Sequence, residues 1–166
     1  FGNPTSSLVT VSCYPWVKDD KIALLGDAAH AIVPFYGQGM NCAFEDCVVM
    51  DDCIAANPGD WNRIFAEYQK SRKPNADAIA DLAIQNFAEM RDKVGNEEFL
   101  EKKHIEHDLC ELYPDLFKSQ YEMVTFSHIP YLEAKKQGET NNRILEEIWQ
   151  NKVDVKNRER IAEIIN

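Results

Sequence analysis

The chain has 166 residues, 45% of them hydrophobic, and a net charge of −10. This apolar content excludes a wholly disordered polymer, and the length suffices for one compact unit or two small ones. The acidic balance argues against a nucleic-acid partner, because phosphates need a cationic face.

The five cysteines (Cys13, Cys42, Cys47, Cys53 and Cys110) form no C-x-x-C pair and lie mostly in helical patterns. That suits a reduced, cytosolic protein better than a disulfide framework, and no metal site is expected. No signal peptide is visible, and no apolar run approaches the ~18 residues that cross a bilayer.

In chain order, Ser6 to Tyr14 (SSLVTVSCY) is rich in β-branched residues and alternates around Leu8, Val9 and Val11, which predicts a strand. Pro15 to Asp20 reads as a connecting turn, with Trp16 packing over a domain edge. Lys21 to Leu25 reads as a buried strand that ends abruptly at Gly26-Asp27. A Gly-rich turn follows, Pro34-Phe35-Tyr36-Gly37-Gln38-Gly39, and then a helix over Asn41–Ala56 with Met40, Ala43, Phe44, Cys47, Val48 and Ile54 as its apolar stripe. A strand leading through a glycine turn into a helix is how α/β proteins build a nucleotide site. At the strand's end, the carboxylate of Asp27 suits sugar-type hydroxyls. Gly37 and Gly39 let the backbone approach a flat ligand closely. No Asp or Glu lies between Gly37 and Asn41, so the positive end of the helix dipole is left for an electron-rich ligand atom.

Asn57-Pro58-Gly59-Asp60 stops this helix, and Asp60 caps the next, Trp61 to about Ser71, with Trp61, Ile64, Phe65 and Tyr68 on its buried side. Lys73-Pro74 opens a further helix to Val94, stopped by Gly95. Ile79, Ala83, Asn86, Phe87, Met90 and Val94 share one of its faces. Asn86 is a polar amide in that apolar stripe, and burial there requires hydrogen-bond partners, ordinarily on a neighbouring helix. Asn96 caps a helix from Glu97 to Tyr113, ended by Pro114. His104 and His107 fit a solvated helix face, having no third ligand at matching spacing, while Leu109 and Cys110 look like packing residues. In the aromatic stretch Leu116–Tyr131, Tyr121 by itself reads as a core or interface aromatic and His128 as structural. The tail from Glu139 to Asn166 is a polar packing helix with Ile144, Leu145, Ile148, Trp149 and Val153 as one stripe and Ile161, Ile164 and Ile165 as another.

The stretch GDAAHAIVPFYGQGMNCAFEDC resembles the second FAD-binding motif of the flavin-dependent aromatic hydroxylases. Its spelling around VPF-GQGMN and FEDC is closest to the kynurenine 3-monooxygenase family. The resemblance implies an α/β fold: the carboxyl-terminal part of an FAD/NAD(P)-binding, Rossmann-like monooxygenase, helix-dominated in this chain. Residues 1–57 would complete the FAD-binding domain (end of the substrate-domain sheet, GD motif, flavin-facing helix), and residues 58–166 would form a helical C-terminal domain. It assigns FAD contacts to Asp27, Pro34, Gly37, Gln38, Gly39, Met40 and Asn41, with Asp27 on the ribityl chain. The substrate would meet Pro34, Phe35, Tyr36 and Gln38. It would also meet Asn86, in DLAIQNFAEMR, and Tyr121, in YEMVTFS, at its amino-acid end.

The same resemblance implies that NADPH reduces FAD and that a flavin C4a-hydroperoxide transfers oxygen from O2 to L-kynurenine, giving 3-hydroxykynurenine in tryptophan catabolism. The cofactor then carries the chemistry, and no side chain here is expected to be catalytic. A strand–G-x-G-x-x-G–helix and a substrate-binding Arg are expected upstream of Phe1 in the remaining N-terminal part of the same enzyme, so the isolated fragment is expected to be inactive. The absence of the hydrophobic tail of eukaryotic relatives implies a cytoplasmic, bacterial protein. Two alternatives fit the residues: another flavin hydroxylase acting on a phenol or polyketide, and a non-catalytic helical binding module with a degenerate flavin half-site.

Overall fold

The structure is a computed structural model describing residues 2, 4–93 and 95–165. It divides into two compact units, residues 1–87 and 88–166. The boundary expected at 57/58 therefore lies inside the first unit.

In the first unit, β1 (Val17–Lys18) and β2 (Ile22–Ala23) form a short antiparallel hairpin, with Val17 opposite Ala23 and Lys18 opposite Ile22. The strand expected over Ser6–Tyr14 does not form, and neither does a buried strand spanning Lys21–Leu25. Leu8, Val9 and Tyr14 are largely exposed, as is Ile22. Alternating side chains make a segment competent for a ladder, but a ladder also needs a neighbouring strand edge. Among the described residues none lies beside Ser6–Tyr14; the Val11 N–H donates instead to the Ala31 carbonyl, 2.8 Å away. Trp16 packs as expected and is 1% exposed, its ring 5.2 Å from His30 and 6.0 Å from Tyr68.

The single-turn α1 (Asp27–His30) follows Gly26 directly, and α2 (Gly39–Ala56) opens out of the glycine turn. The apolar stripe read on α2 is not the buried one. Met40, Phe44, Cys47 and Val48 face solvent, whereas Cys42, Asp46 and Cys53 are buried. Burial is set here by the polar partners of Asp46, not by the density of apolar residues.

The two helices expected on either side of Pro74 are one continuous helix, α3 (Trp61–Asp92). A proline inside a helix removes one N–H bond and crowds the preceding turn. Here the Asn75 side chain donates to the Ser71 carbonyl beside the break. Buried Tyr68, Arg72, Ala76 and Ile79 hold the helix on both sides of it. Asp60 caps the helix as expected, accepting the Arg63 N–H at 3.1 Å. Ile64, Phe65 and Tyr68 are buried as expected, but Trp61 is 44% exposed. Toward the far end Ile79 and Ala83 are buried, while Phe87 and Met90 are exposed; Val94 lies outside the described residues.

The second unit packs α4 (Glu97–Leu112), α5 (Gln120–Phe126), α6 (Tyr131–Gln150) and α7 (Arg158–Ile165). Its core joins Leu109, Tyr113, Phe117, Ile144, Leu145, Ile148 and Ile161. The predicted Asn96 cap forms, accepting the Phe99 N–H, and a capping box of Ser119 and Glu122 opens α5. His104, His107 and His128 are exposed, so no packing role falls to His128. No described helix is long and apolar enough to cross a membrane.

Candidate functional site

The GD turn and the start of α2 are built together. Gly26 adopts φ 56° and ψ −140°, a conformation open in practice only to glycine. A side chain there would also meet Ala43 of α2, since a Cβ on Gly26 would lie 3.1 Å from the Ala43 Cβ. The turn that presents Asp27 therefore rests against α2 one helical turn beyond Gly39. Asp27 is exposed, and its carboxylate makes no hydrogen bond among the described residues. Gly37 has φ 72°, again a glycine conformation, and a Cβ on Gly37 or Gly39 would meet nothing within 4 Å. The backbone there borders open space.

No side chain caps the first N–H groups of α2, and no acidic residue sits in its first turn. The expectation of an unneutralised helix end is therefore met. Gln38 is buried, and its Oε1 accepts the Asn41 Nδ2 at 2.8 Å. Pro34, Met40 and Asn41 are exposed, and Phe35 and Tyr36 half-buried. An open glycine turn, an unblocked helix end and a free carboxylate fit a flavin: hydroxyls for Asp27, a flat ring along the turn, and an electron-rich edge for the helix N–H groups.

Beneath this surface lies a buried network that sequence patterns did not pair. Asp46 of α2 is fully buried. Its Oδ2 accepts the Gly26 N–H at 2.9 Å and pairs with His30 Nε2 at 2.5 Å, while its Oδ1 accepts Arg72 Nε at 2.7 Å. Arg72 also pairs with Glu45 at 2.7 Å and donates to the Cys42 carbonyl at 3.2 Å. Burial opposes the charged form of His30, but its hydrogen bonds to Asp46 and Cys42 outweigh that cost and raise its pKa to about 10. Burial pushes the Asp46 carboxyl up, and the bonds from His30, Arg72 and the Gly26 N–H more than reverse this, holding it below the usual carboxylate range. His30, Cys42 and Asp46 approach one another closely enough to share a metal ion. The Arg72 guanidinium already occupies that carboxylate and lies 3.4 Å from the Cys42 sulfur, so a second cation would be opposed.

The signs of these shifts define a pH window. Because the folded pKa of His30 lies above its unfolded value of 6.5, its stabilisation is complete below that value and fades as pH rises toward about 10. Asp46 behaves oppositely: its stabilisation is present above its ordinary 3.8 and is lost as pH falls through its lowered folded value. The melting midpoint is therefore expected to fall between roughly pH 6.5 and pH 10, by several degrees. His30→Gln should flatten that decline in thermal melts followed by circular dichroism; identical slopes in the two proteins would remove His30 as its source.

Asn86, the polar residue in the α3 stripe, reaches the glycine turn. Its Nδ2 donates to the Phe35 carbonyl at 2.6 Å, and the neighbouring Phe87 ring packs 4.4 Å from Phe35. The partner is thus a loop carbonyl, not another helix, and the Asn86 Oδ1 makes no hydrogen bond among the described residues. Tyr121 lies in the other unit, on α5, 55% exposed and edge-on to Phe126.

Residues 10–83 match the family model described as an FAD binding domain. The match covers the GD turn, the glycine turn, α2 and the buried network. The chain is similar to kynurenine 3-monooxygenases over most of its own length. It is 55% identical to a kynurenine 3-monooxygenase of Flavobacterium johnsoniae, over 89% of this chain and 33% of that protein. Kynurenine 3-monooxygenases of Myxococcus xanthus and Dictyostelium discoideum are each 49% identical over 89% of the chain, which covers 32% and 35% of them. The chain thus spans about a third of the length of the curated relatives it matches. The kynurenine 3-monooxygenase-like character expected from GDAAH and PFYGQGMN holds over most of the sequence.

Proposed function

We propose that the chain is the flavin-cradling and substrate-contacting part of a kynurenine 3-monooxygenase, which hydroxylates L-kynurenine with NADPH and O2. The observation that carries this reading is the open, uncharged amino end of α2 at the glycine turn, with Asn86 drawn onto Phe35 beside it. When bound, FAD supplies the electron transfer from NADPH and the activation of O2.

The residues of this chain bind and orient. Asp27 holds ribityl hydroxyls. Pro34, Gly37, Gln38, Gly39, Met40 and Asn41 lie along the flavin ring, and the first N–H groups of α2 favour negative charge at its N1–C2=O edge. Pro34, Phe35, Tyr36 and Gln38 border the substrate. Asn86 offers its Oδ1 to the substrate's ammonium group, and Tyr121 its hydroxyl to the carboxylate.

Residues 1–57 then supply the flavin-facing elements and residues 58–166 the helical part. Exposed Phe44 and Val48, together with exposed Leu8 and Val9, give the remaining N-terminal part of such an enzyme an apolar surface to cover.

Turnover tests this reading. The intact protein, supplied with FAD and NADPH, is expected to hydroxylate L-kynurenine in preference to simple phenols. Tyr121→Phe should raise the kynurenine KM about tenfold, as loss of one hydrogen bond to a charged group does, without loss of FAD. Turnover of phenols without kynurenine would favour a different flavin hydroxylase.

A further inference from the structure

We propose that Asp46 is a positioning residue for the flavin turn, locking the backbone that presents Asp27 so that grip on the ribityl hydroxyls depends on a carboxylate that never touches them. The proposal rests on the flavin reading above and adds a residue to it.

The geometry is specific. Asp46 brackets α1 at both ends, accepting the N–H of Gly26 just before it and pairing with the ring of His30 at its last position. One helical turn has no stability of its own, since nucleation fixes several dihedrals for a single hydrogen bond. Gly26 adopts a conformation that glycine reaches freely but does not prefer, so its surroundings must select it. Asp27 lies between these two anchors, and its own carboxylate has no partner among the described residues to hold it. Its position is therefore inherited from the backbone, and the backbone is held through Asp46. Arg72 fixes Asp46 in turn, and because it comes from α3 it ties the turn to the helix that also carries Asn86.

The chemistry calls for a carboxylate at this position. Asp46 receives three donors on two acceptor oxygens. An asparagine would offer one oxygen and turn an NH2 toward at least one of those donors, leaving a buried polar group unpaired. Asp46→Asn should therefore release the Gly26–His30 segment while keeping the size of the side chain.

A double-mutant cycle on FAD affinity in the intact protein separates positioning from general support. Dissociation constants are read from quenching of flavin fluorescence for the wild type, Asp27→Ala, Asp46→Asn and the double variant. Asp46→Asn is expected to weaken FAD about tenfold or more, as loss of a charge-assisted hydrogen bond does. The double variant should bind no more weakly than Asp27→Ala alone, because Asp46 acts through Asp27. Losses that multiply in the double variant would show that Asp46 only supports the fold and would overturn the proposal. If Asp27→Ala leaves FAD affinity unchanged, it is the ribityl assignment that fails, whatever Asp46 does. Should Asp46→Asn melt below the assay temperature, His30→Gln takes its place in the cycle. That variant removes one bracket while Asp46 keeps Gly26 and Arg72, and the same loss of additivity is expected, with the same result overturning it.

Discussion

Arg72→Ala is expected to destabilise the protein by about 3–5 kcal/mol, the range found when one partner of a buried ion pair is removed. Arg72 is 4% exposed and Asp46 fully buried, so water cannot replace the lost guanidinium at the carboxylate. The truncation strands Asp46 with His30 and the Gly26 N–H, and leaves the Cys42 carbonyl and Glu45 without their guanidinium contacts. It also opens a gap in α3 one residue before Lys73 and two before Pro74, where the helix has least backbone bonding to spare. Arg72→Lys should recover part of the loss: an ammonium can pair with Asp46 but cannot reproduce the planar fork that serves Asp46, Glu45 and Cys42 together. Chemical denaturation followed by circular dichroism measures this. A loss below ~1 kcal/mol, typical of an exposed pair, would mean that the network does not hold the unit together.

The second large effect concerns the open end of α2. Met40 lies in the first turn and is 68% exposed, so its replacement disturbs no packing among the described residues. A carboxylate there is favourable for the helix itself, by about 0.3–1 kcal/mol, because it complements the dipole. Met40→Asp should therefore leave the fold intact or slightly stabilise it. For a bound flavin the sign reverses. Reduction adds negative charge at the ring edge assigned to this helix end, and two unit charges ~6 Å apart at an effective dielectric of ~20 repel by roughly 3 kcal/mol. The variant should hold its flavin at a lower midpoint potential. Few substitutions are expected to help the protein and hinder the cofactor at once, which makes Met40→Asp informative.

What the sequence discloses about this fold is mostly local. The caps at Asp60 and Asn96 are set within three residues and form as read. The glycine turn and the uncharged start of α2 are equally short-range, and they carry the family resemblance. Pro74 misleads because its usual place is a helix start, whereas contacts on both sides of it carry α3 through. On α2 the apolar stripe of Met40, Phe44 and Val48 is real, yet the face that turns inward is the one bearing Asp46.

The pairing of His30, Asp46 and Arg72 spans separations of 16 and 26 residues, beyond any periodicity. One signal was nonetheless present. Arg72 stands four residues from Tyr68 and from Ala76 in a stripe otherwise apolar from Ile64 to Ile79, and a charge in such a stripe demands a buried counter-charge. The same reasoning singled out Asn86; applied to Arg72, it points to a carboxylate on a facing element.

The most direct test of the α2 assignment is a redox titration of the flavin bound to the intact protein and to its Met40→Asp variant, at equal FAD occupancy. A midpoint potential lower by tens of millivolts in the variant is expected. An unchanged or higher potential, with FAD still bound, would contradict the placement of the flavin's electron-rich edge at the amino end of α2.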